Sequence, residues 1–230
     1  MSTRSNFAAA AMALAATLTI AATEADHKGV NTGPKGSGEA AAPVHTAALA
    51  DRLARYAIKS ADPVAMVQAA KMKLSIVGRV LGIKKKTEGK GTKVDKTTGI
   101  DVSPEALLKR AAGMAVGNTA IIGLIADARA AKTRGTTHGP SVHEDDVLAG
   151  GTDIYEISFR GGEQAAVFVN GDGDTDLDLV VQDEHGNEIC ADADDSDTML
   201  CRWTPSWTGR FQIRIKNLGR VYNHYEMAVN

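Results

Sequence analysis

The stretch Val169-Asn-Gly-Asp-Gly-Asp-Thr-Asp-Leu-Asp-Leu179 decides the fold of the C-terminal part of this 230-residue chain. Leu177, Leu179 and Val181 alternate with polar residues, which is typical of a strand that buries one face. The segment from Phe211 to Ile215 shows the same alternation, and Gly, Asn and Asp turns separate such segments. Short strands at this spacing predict an all-β sandwich or jelly roll.

Four short motifs in this part of the chain resemble the bacterial pre-peptidase C-terminal domain, a β-sandwich appended to secreted proteins. They are an Asp-x-Asp-Leu strand opening, an Asp-x-x-Gly-Asn turn, a Gly-x-Phe strand and a closing Asn-x-Tyr strand, at Asp174–Leu177, Asp183–Asn187, Gly209–Phe211 and Asn223–Tyr225. In that family the domain accompanies secreted peptidases and assists targeting, solubility or substrate contact. The resemblance therefore implies a β-sandwich with an accessory role, and it covers residues 150–230.

Composition divides the chain in two. From Ser141 onward the sequence has 18 Asp and Glu against 6 Lys and Arg, whereas the remainder has 20 basic and 10 acidic residues. Helical periodicity marks the basic part and period-two alternation marks the acidic part. We therefore expect an α+β multidomain protein in which a small helical bundle precedes the sandwich. The predicted segments are a signal peptide at 1–25, a disordered leader at 26–44, a helical domain at 45–132, a linker at 133–149 and the sandwich at 150–230.

The N-terminus predicts export. Arg4 precedes an apolar run from Phe7 to Ile20, which is shorter than the ~20 residues of a membrane-spanning helix but suits the core of a signal peptide. Small residues follow, so cleavage is expected after Ala22 or Ala25, with the mature chain beginning near Asp26. These features predict a periplasmic or secreted protein without a transmembrane segment. Nothing in the charge pattern predicts a nucleic-acid partner.

Four helices are predicted, arranged as two helical hairpins. Asp62 and Ser103 each precede a proline, which marks two helix starts, and Asn118 is a third capping residue. The apolar stripes of these helices consist mostly of Ala, Val and Met. Such stripes favour a small antiparallel bundle; the alternative is a pair of hairpins docked on another surface.

Cys190 and Cys201 are the two cysteines of the chain, and both lie in the predicted sandwich. In an exported protein we expect them to form a disulfide between neighbouring strands of a hairpin. Closing a loop this short stabilises the fold by about 3 kcal/mol in the chain-entropy model. Two free buried thiols are the alternative, and the spacing fits no zinc pattern.

The candidate metal site is a pair of aspartate runs, Asp172 to Asp178 and Asp192 to Asp197. Many carboxylate oxygens in two facing loops suit Ca²⁺, which takes six to eight oxygen ligands, and calcium is therefore the candidate cofactor. An EF-hand register fails, because Leu177 stands where the loop requires Gly. The alternative is that the aspartates cap turns and that arginines balance their charge. The candidate calcium ligands are Asp172, Asp174, Asp176 and Asp194, and the candidate arginines are Arg202, Arg210 and Arg214.

Three further surface features are candidates for binding or catalysis. Trp207 lies beyond Pro205 at a strand end, where an exposed aromatic ring can bind carbohydrate or peptide and a buried one belongs to the core. His138 and His143 neighbour acidic residues in the predicted linker, but no Gly-x-Ser-x-Gly or His-Glu-x-x-His motif supports catalysis there. The basic run from Lys84 to Lys96 is expected to be a solvated loop, with an anionic envelope component as the alternative partner.

Taken together, the sequence predicts a non-catalytic exported binding or adaptor protein. Its sandwich is expected to contact an envelope or extracellular polymer or protein, through Trp207 and the acidic loops. The alternative is a small exported enzyme or inhibitor formed by the helices, with the sandwich as an accessory or targeting domain. A pocket of convergent polar groups among the helices would favour that alternative, and solid apolar packing would disfavour it.

Overall fold

A computed structural model describes residues 27–76, 78–89, 91, 93, 99–131 and 139–230. The predicted signal peptide, His138 and part of the basic run lie outside these residues. The helices are α1 (Ala42–Ser60), α2 (Pro63–Ser75), α3 (Pro104–Met114) and α4 (Thr119–Ala131). The strands are β1 (Arg79–Val80), β2 (Lys86–Glu88), β3 (Ser141–Val147), β4 (Thr152–Phe159), β5 (Ala165–Gly171), β6 (Leu177–Gln182), β7 (Glu188–Asp192), β8 (Thr198–Trp203), β9 (Gly209–Asn217) and β10 (Asn223–Val229).

The three predicted caps begin their helices. Asp62 Oδ1 accepts the backbone N–H groups of Val64 and Ala65 at 2.9 and 3.0 Å, so it satisfies two donors that the first turn of α2 leaves unpaired. The Ser103 hydroxyl oxygen accepts from Ala106 N–H at the start of α3, and Asn118 Oδ1 accepts in the same way at the start of α4. The helices then pack around a shared apolar core, which confirms the predicted bundle. That core includes Ala54, Met66, Val67, Leu107, Leu108 and Ile125.

The strands form two five-stranded sheets, which confirms the predicted sandwich. The first sheet has the order β1-β3-β10-β5-β8 and the second has the order β2-β4-β9-β6-β7. Side chains that alternate along each strand meet between the sheets, as period-two patterning requires. The largest of them are Tyr155, Leu177, Leu179, Phe211, Ile213 and Tyr225, all fully buried.

The first sheet is covered on one face by the second sheet and on part of the other face by α1. Every residue of β5 is buried, because Val167 and Val169 face the second sheet while Ala166 and Phe168 face α1. The α1 residues that contact this outer face are Ala41, Val44 and Ala48. The molecule therefore has three layers: helices, first sheet and second sheet.

Two predicted boundaries are wrong. The segment predicted as a linker at 133–149 contains β3, which pairs with β10 along its whole length. The segment predicted as a disordered leader at 26–44 is ordered from residue 27 onward: Asn31 is fully buried, and its N–H donates to Asp183 Oδ2 at 3.0 Å. Both segments are polar and lack periodicity. Their order comes from hydrogen bonds to distant parts of the chain, which a local pattern does not reveal.

The predicted disulfide between Cys190 and Cys201 is present, but the predicted hairpin is not. Strand β7, which carries Cys190, pairs with β6 in the second sheet, and β8, which carries Cys201, pairs with β5 in the first. The acidic loop between them is therefore a crossover from one sheet to the other. The disulfide ties the two sheets together instead of two strands of one sheet.

None of the helices in the described part of the chain combines the length and the hydropathy that a membrane span needs.

Candidate functional site

The outer face of the first sheet carries side chains in aligned rows. Antiparallel pairing of β10 with both β3 and β5 places Val142, Ala228 and Phe168 side by side. Two residues further along the strands, Glu144 lies opposite Glu226, and Glu226 lies opposite Asn170. An apolar row and an acidic row therefore lie next to each other on one surface.

Helix α1 covers only part of this face, and a cavity of about 1040 Å³ lies beside it. We call it the interlayer cavity, because it lies between the helical layer and the first sheet. Its floor is formed by the two rows just described, and its walls come from the ends of α2 and α3 and from the segment around β1. The apolar wall residues include Ile76, Val80, Leu81, Ile83, Ile100, Val102 and Pro104.

Close backbone contacts hold two walls of the interlayer cavity in place. A Cβ atom at Gly78 would lie 2.3 Å from Val142 Cγ2, so only glycine lets the chain approach the floor this closely. On the opposite side, Ile100 N–H donates to the carbonyl oxygen of Asp172 at 2.8 Å. These contacts bring the walls down onto the sheet, which means that the cavity exists before any ligand arrives.

Lys85 anchors the chain just beyond the wall formed by the segment around β1. Its Nζ lies 2.7 Å from Asp145 Oδ1 and 3.3 Å from the buried Asp153 Oδ2. Burial alone would lower the pKa of Lys85, but the hydrogen bond to Asp145 and the charges of Asp153 and Asp145 raise it. Tyr225, on the inner face of β10, donates its hydroxyl hydrogen to the same Asp153 oxygen at 3.1 Å, and burial raises the pKa of Tyr225. The ammonium group thus ties this part of the chain to the sandwich core.

Glu226 is an ionisable residue of the cavity floor and lies on β10, the middle of the three floor strands. Burial raises the pKa of its carboxyl group, and the nearby charges of Glu144 and Asp51 raise it further, while Lys73 and His224 act in the opposite direction. Among the described residues, no side chain or backbone group forms a hydrogen bond or ion pair with this carboxylate. Glu226 is therefore a charge that the fold itself leaves without a direct partner.

Lys73, which also lines the cavity, is already paired. Its Nζ lies 3.0 Å from Oδ1 of the fully buried Asp51. Arg55 Nε lies 2.9 Å from the other oxygen of Asp51, and the same guanidinium reaches Gly171 O at 2.8 Å and Asp197 Oδ1 at 3.4 Å. Asp51 therefore holds both cations: Lys73 joins α2 to α1, and Arg55 joins α1 to the first sheet.

The predicted calcium ligands lie in two neighbouring acidic loops, where some of them accept backbone hydrogen bonds. Asp194 Oδ1 accepts from Ser196 N–H at 3.0 Å and caps a turn, whereas Asp172 Oδ2 accepts from His224 N–H at 2.8 Å and ties its loop to the start of β10. Asp174 and Asp176 lie between them in sequence, and Asp178, Asp194, Asp195 and Asp197 all raise the pKa of Asp176, after burial itself. In the described part of the chain, no three His, Cys, Asp or Glu side chains are arranged to hold a metal ion. Calcium binding by these aspartates therefore stays a prediction. Arg55, which the sequence did not single out, lies 3.4 Å from Asp197 Oδ1 and balances the charge of that carboxylate.

Trp207, the predicted binding aromatic, is partly covered. The His27 ring stacks on its indole ring with 4.6 Å between ring centroids, and Trp207 Nε1–H donates to Glu184 Oε1 at 2.6 Å. Asn31 accepts the backbone N–H of Trp207 through Oδ1. The ordered leader thus occupies the surface that the sequence predicted to be free.

Sequence reasoning missed the interlayer cavity, although two of its signals were visible. The alternation of Tyr225 and Met227 places Glu226 on the opposite face of its strand, and the spacing of Asp51 and Arg55 is that of a helical ion pair. The opposition of Glu226 and Glu144 was not visible, because it depends on the register between strands that lie far apart in sequence.

No protein-family model matches the chain, and no curated protein matches it. Among solved structures, the pre-peptidase C-terminal domain of a collagenase from Bacillus anthracis is similar, with 13% identity, a TM-score of 0.33 and coverage of 40% of this chain and 89% of that domain. The mitogen from Yersinia pseudotuberculosis has 12% identity, a TM-score of 0.33 and coverage of 40% and 86%. A carbohydrate binding module of a Cellvibrio mixtus lichenase, in complex with cellotriose, has 11% identity, a TM-score of 0.24 and coverage of 39% and 86%.

These similarities concern the β-sandwich, which the two sheets of this chain establish independently. With identities and TM-scores this low, the similarities do not indicate a function for this chain.

Proposed function

We propose that this chain is an exported, non-catalytic binding protein that takes a small, largely apolar ligand in the interlayer cavity. The observation that carries the proposal is the cavity itself, about 1040 Å³ in volume, with an apolar row on its floor and apolar walls. Ligand sites for small molecules are concave, mostly apolar and largely preformed, with volumes of roughly 300–1,000 Å³. The interlayer cavity meets these conditions.

The chemistry of the walls supports a preformed site. The close contact of Gly78 with Val142 holds one wall segment in place, and the ion pairs of Lys85 hold the chain next to it. Neither contact requires a ligand. A site whose walls are already in place loses little conformational entropy on binding, so burial of apolar ligand surface contributes more fully to affinity.

Export is the second part of the proposal. The apolar run of the N-terminal residues and the two cysteines, which form a disulfide, are the features that support it. Disulfides persist in oxidising compartments outside the cytoplasm. The ligand is therefore expected to be a molecule of the periplasm or the medium.

The sequence pointed to a polymer or protein partner bound through Trp207 and the acidic loops. His27 of the leader stacks on the Trp207 ring and Glu184 accepts the indole N–H, so the ring is partly covered and the cavity is the better candidate. The alternative of an enzyme or inhibitor within the helical region loses support. The described helices pack Ala, Leu and Met side chains against one another, and the cavity lies on the sheet side of that core.

The test is a fluorescence titration of the mature chain with N-phenyl-1-naphthylamine, a neutral apolar probe that brightens in apolar surroundings. Two variants are compared with the wild type. Ile100→Ser removes a wall side chain that is 45% exposed, and Ile122→Ser removes a matched side chain on α4 that is 51% exposed and lies outside the cavity.

We expect saturable binding that Ile100→Ser weakens by about fivefold or more, because each lost methylene contact is worth about 0.8 kcal/mol. Ile122→Ser should bind as the wild type does. Absence of saturable binding, or equal weakening by both variants, would overturn the proposal.

A further inference from the structure

We propose that the ligand of the interlayer cavity is a small organic cation, with an apolar body and one positively charged group such as an amine. This inference rests on the proposed function, because it assigns the charge of the ligand that the cavity takes. It is carried by the layout of the cavity floor and by the charges around it.

Glu226 and Glu144 lie opposite each other on the cavity floor. They are directly paired residues of β10 and β3 and share the outer face of the first sheet. Like charges at directly opposed positions destabilise an antiparallel pair. A positive group placed between the two carboxylates would remove that repulsion and would give Glu226 the partner that it lacks.

The described lining of the cavity carries more negative than positive side chains. Of the lining residues that the structure describes, Asp101, Asp172, Glu144 and Glu226 are acidic, and Lys73 alone carries a permanent positive charge. The Lys73 ammonium is already paired with the buried Asp51. A negatively charged ligand would meet repulsion from the floor and would have to compete with Asp51 for the single lysine.

The cavity floor places an apolar row beside an acidic row. The apolar row of Val142, Ala228 and Phe168 lies two residues along the strands from the acidic row of Glu144 and Glu226. Two residues along a strand correspond to about 7 Å. A ligand whose ring or short chain covers the apolar row can therefore place a positive group over the acidic row at that separation.

Other nearby groups do not supply the missing charge. His224 lies beside the acidic row, but its Nδ1 is 2.9 Å from Asp146 Oδ1, so its imidazole is directed to another carboxylate. Asn170 is the third residue of the acidic row, and its amide oxygen accepts from Arg55. Within the described part of the chain, the positive charge over Glu226 and Glu144 is thus left to the ligand.

The experiment compares three probes that share one dansyl ring and differ in charge: dansylcadaverine is a cation, dansylamide is neutral and dansylglycine is an anion. Each is titrated against the wild type, Glu226→Gln and Glu156→Gln. Glu156 is an exposed glutamate on the outer face of the second sheet, so its variant changes the net charge equally without touching the cavity.

We expect the wild type and Glu156→Gln to bind dansylcadaverine about tenfold more tightly than dansylamide, the effect of one charge-assisted hydrogen bond. Dansylglycine should bind more weakly than dansylamide. In Glu226→Gln the preference for the cation should fall to within about twofold, while the affinity for the neutral probe stays the same. Added salt should reduce the preference in the wild type.

Two results would overturn the inference while leaving the proposed function intact. One is equal binding of the neutral and cationic probes by the wild type. The other is a preference for the cation that survives in Glu226→Gln. Failure of all three dansyl probes, together with failure of N-phenyl-1-naphthylamine, would remove both the proposed function and the inference.

Discussion

The two sheets of the sandwich share one core but have different outer faces. In the first sheet the outer face carries Phe168 and Ala228, and α1 packs on it. In the second sheet the outer residues of β9 are polar or charged, from Arg210 to Lys216, and face solvent or each other. The comparison shows why the candidate site lies where it does: an apolar face that a helix covers only in part leaves a concave apolar surface at the margin of the helix.

The first prediction measures how much the helical cover contributes. Phe168→Ala removes the largest side chain between α1 and the first sheet and should reduce the free energy of unfolding by about 3–4 kcal/mol. Val180→Ala, on the half-exposed outer face of β6 in the second sheet, should cost less than about 1 kcal/mol. Urea denaturation of both variants is the measurement. Equal losses would mean that the two outer faces are energetically alike.

The second prediction tests the connection between the sheets. Replacing both Cys190 and Cys201 by Ala should lower the free energy of unfolding by about 3 kcal/mol, since the disulfide restricts the unfolded chain. Wild-type protein unfolded in the presence of a reductant is the control and should show the same loss. A loss below about 1 kcal/mol in either sample would contradict the chain-entropy explanation.

The third prediction concerns the junction between the helices and the first sheet. Arg55→Met leaves Asp197 without its cation and removes one of the two cations at Asp51, which should cost about 2 kcal/mol. Arg52→Met is the matched control because Arg52 is exposed on the same helix, and its effect should stay within about 0.5 kcal/mol. Thermal unfolding monitored by circular dichroism distinguishes them. Similar melting temperatures for the two variants would rule out the junction as a source of stability.

The fourth and smallest effect is a gain in stability. The pKa of Glu226 is raised in the folded state, so ionising this carboxyl opposes folding; the penalty is absent below the ordinary pKa of the group and is fully present above the raised pKa. Glu226→Gln should therefore raise the melting temperature by about 2 °C at pH 7 in the absence of ligand, and the gain should vanish near pH 4.

Glu156→Gln, on the outer face of the second sheet, serves as the control for this change and should shift the melting temperature little at either pH. A lower melting temperature of Glu226→Gln at pH 7 would contradict this prediction, because it would show that the Glu226 carboxylate stabilises the folded state.

Much of this architecture could be predicted from local sequence. The three capping residues accept hydrogen bonds from residues two or three positions further along the chain, so their role can be recognised from the local sequence. They are Asp62, Ser103 and Asn118. The apolar alternation of β6 and β9 likewise needs only neighbouring residues to be recognised. Local rules succeed where the stabilising contact is itself local.

The remainder depends on contacts between distant residues. Strand β3 has the sequence Ser-Val-His-Glu-Asp-Asp-Val, which resembles a solvated linker, and it is a strand because β10 provides its hydrogen bonds and Lys85 pairs with Asp145. The candidate site arises in the same way. Its floor combines single residues from three strands, and its acidic pair exists only through their register.

The sheet order has a consequence for the behaviour of the protein at high concentration. Strands β7 and β8, which the disulfide joins, are the terminal strands of their sheets on one side, and the short β1 and β2 are terminal on the other. Unpaired backbone groups on such edge strands are templates for aggregation, and proteins suppress it with short edges and with lysine. Here the edge strands β1 and β2 are only two and three residues long. Three consecutive lysines, Lys84 to Lys86, lead into β2. The other two edge strands, β7 and β8, are joined by the Cys190–Cys201 disulfide. Reduction of this bond would free both strands at once and expose the sandwich to intermolecular β-pairing.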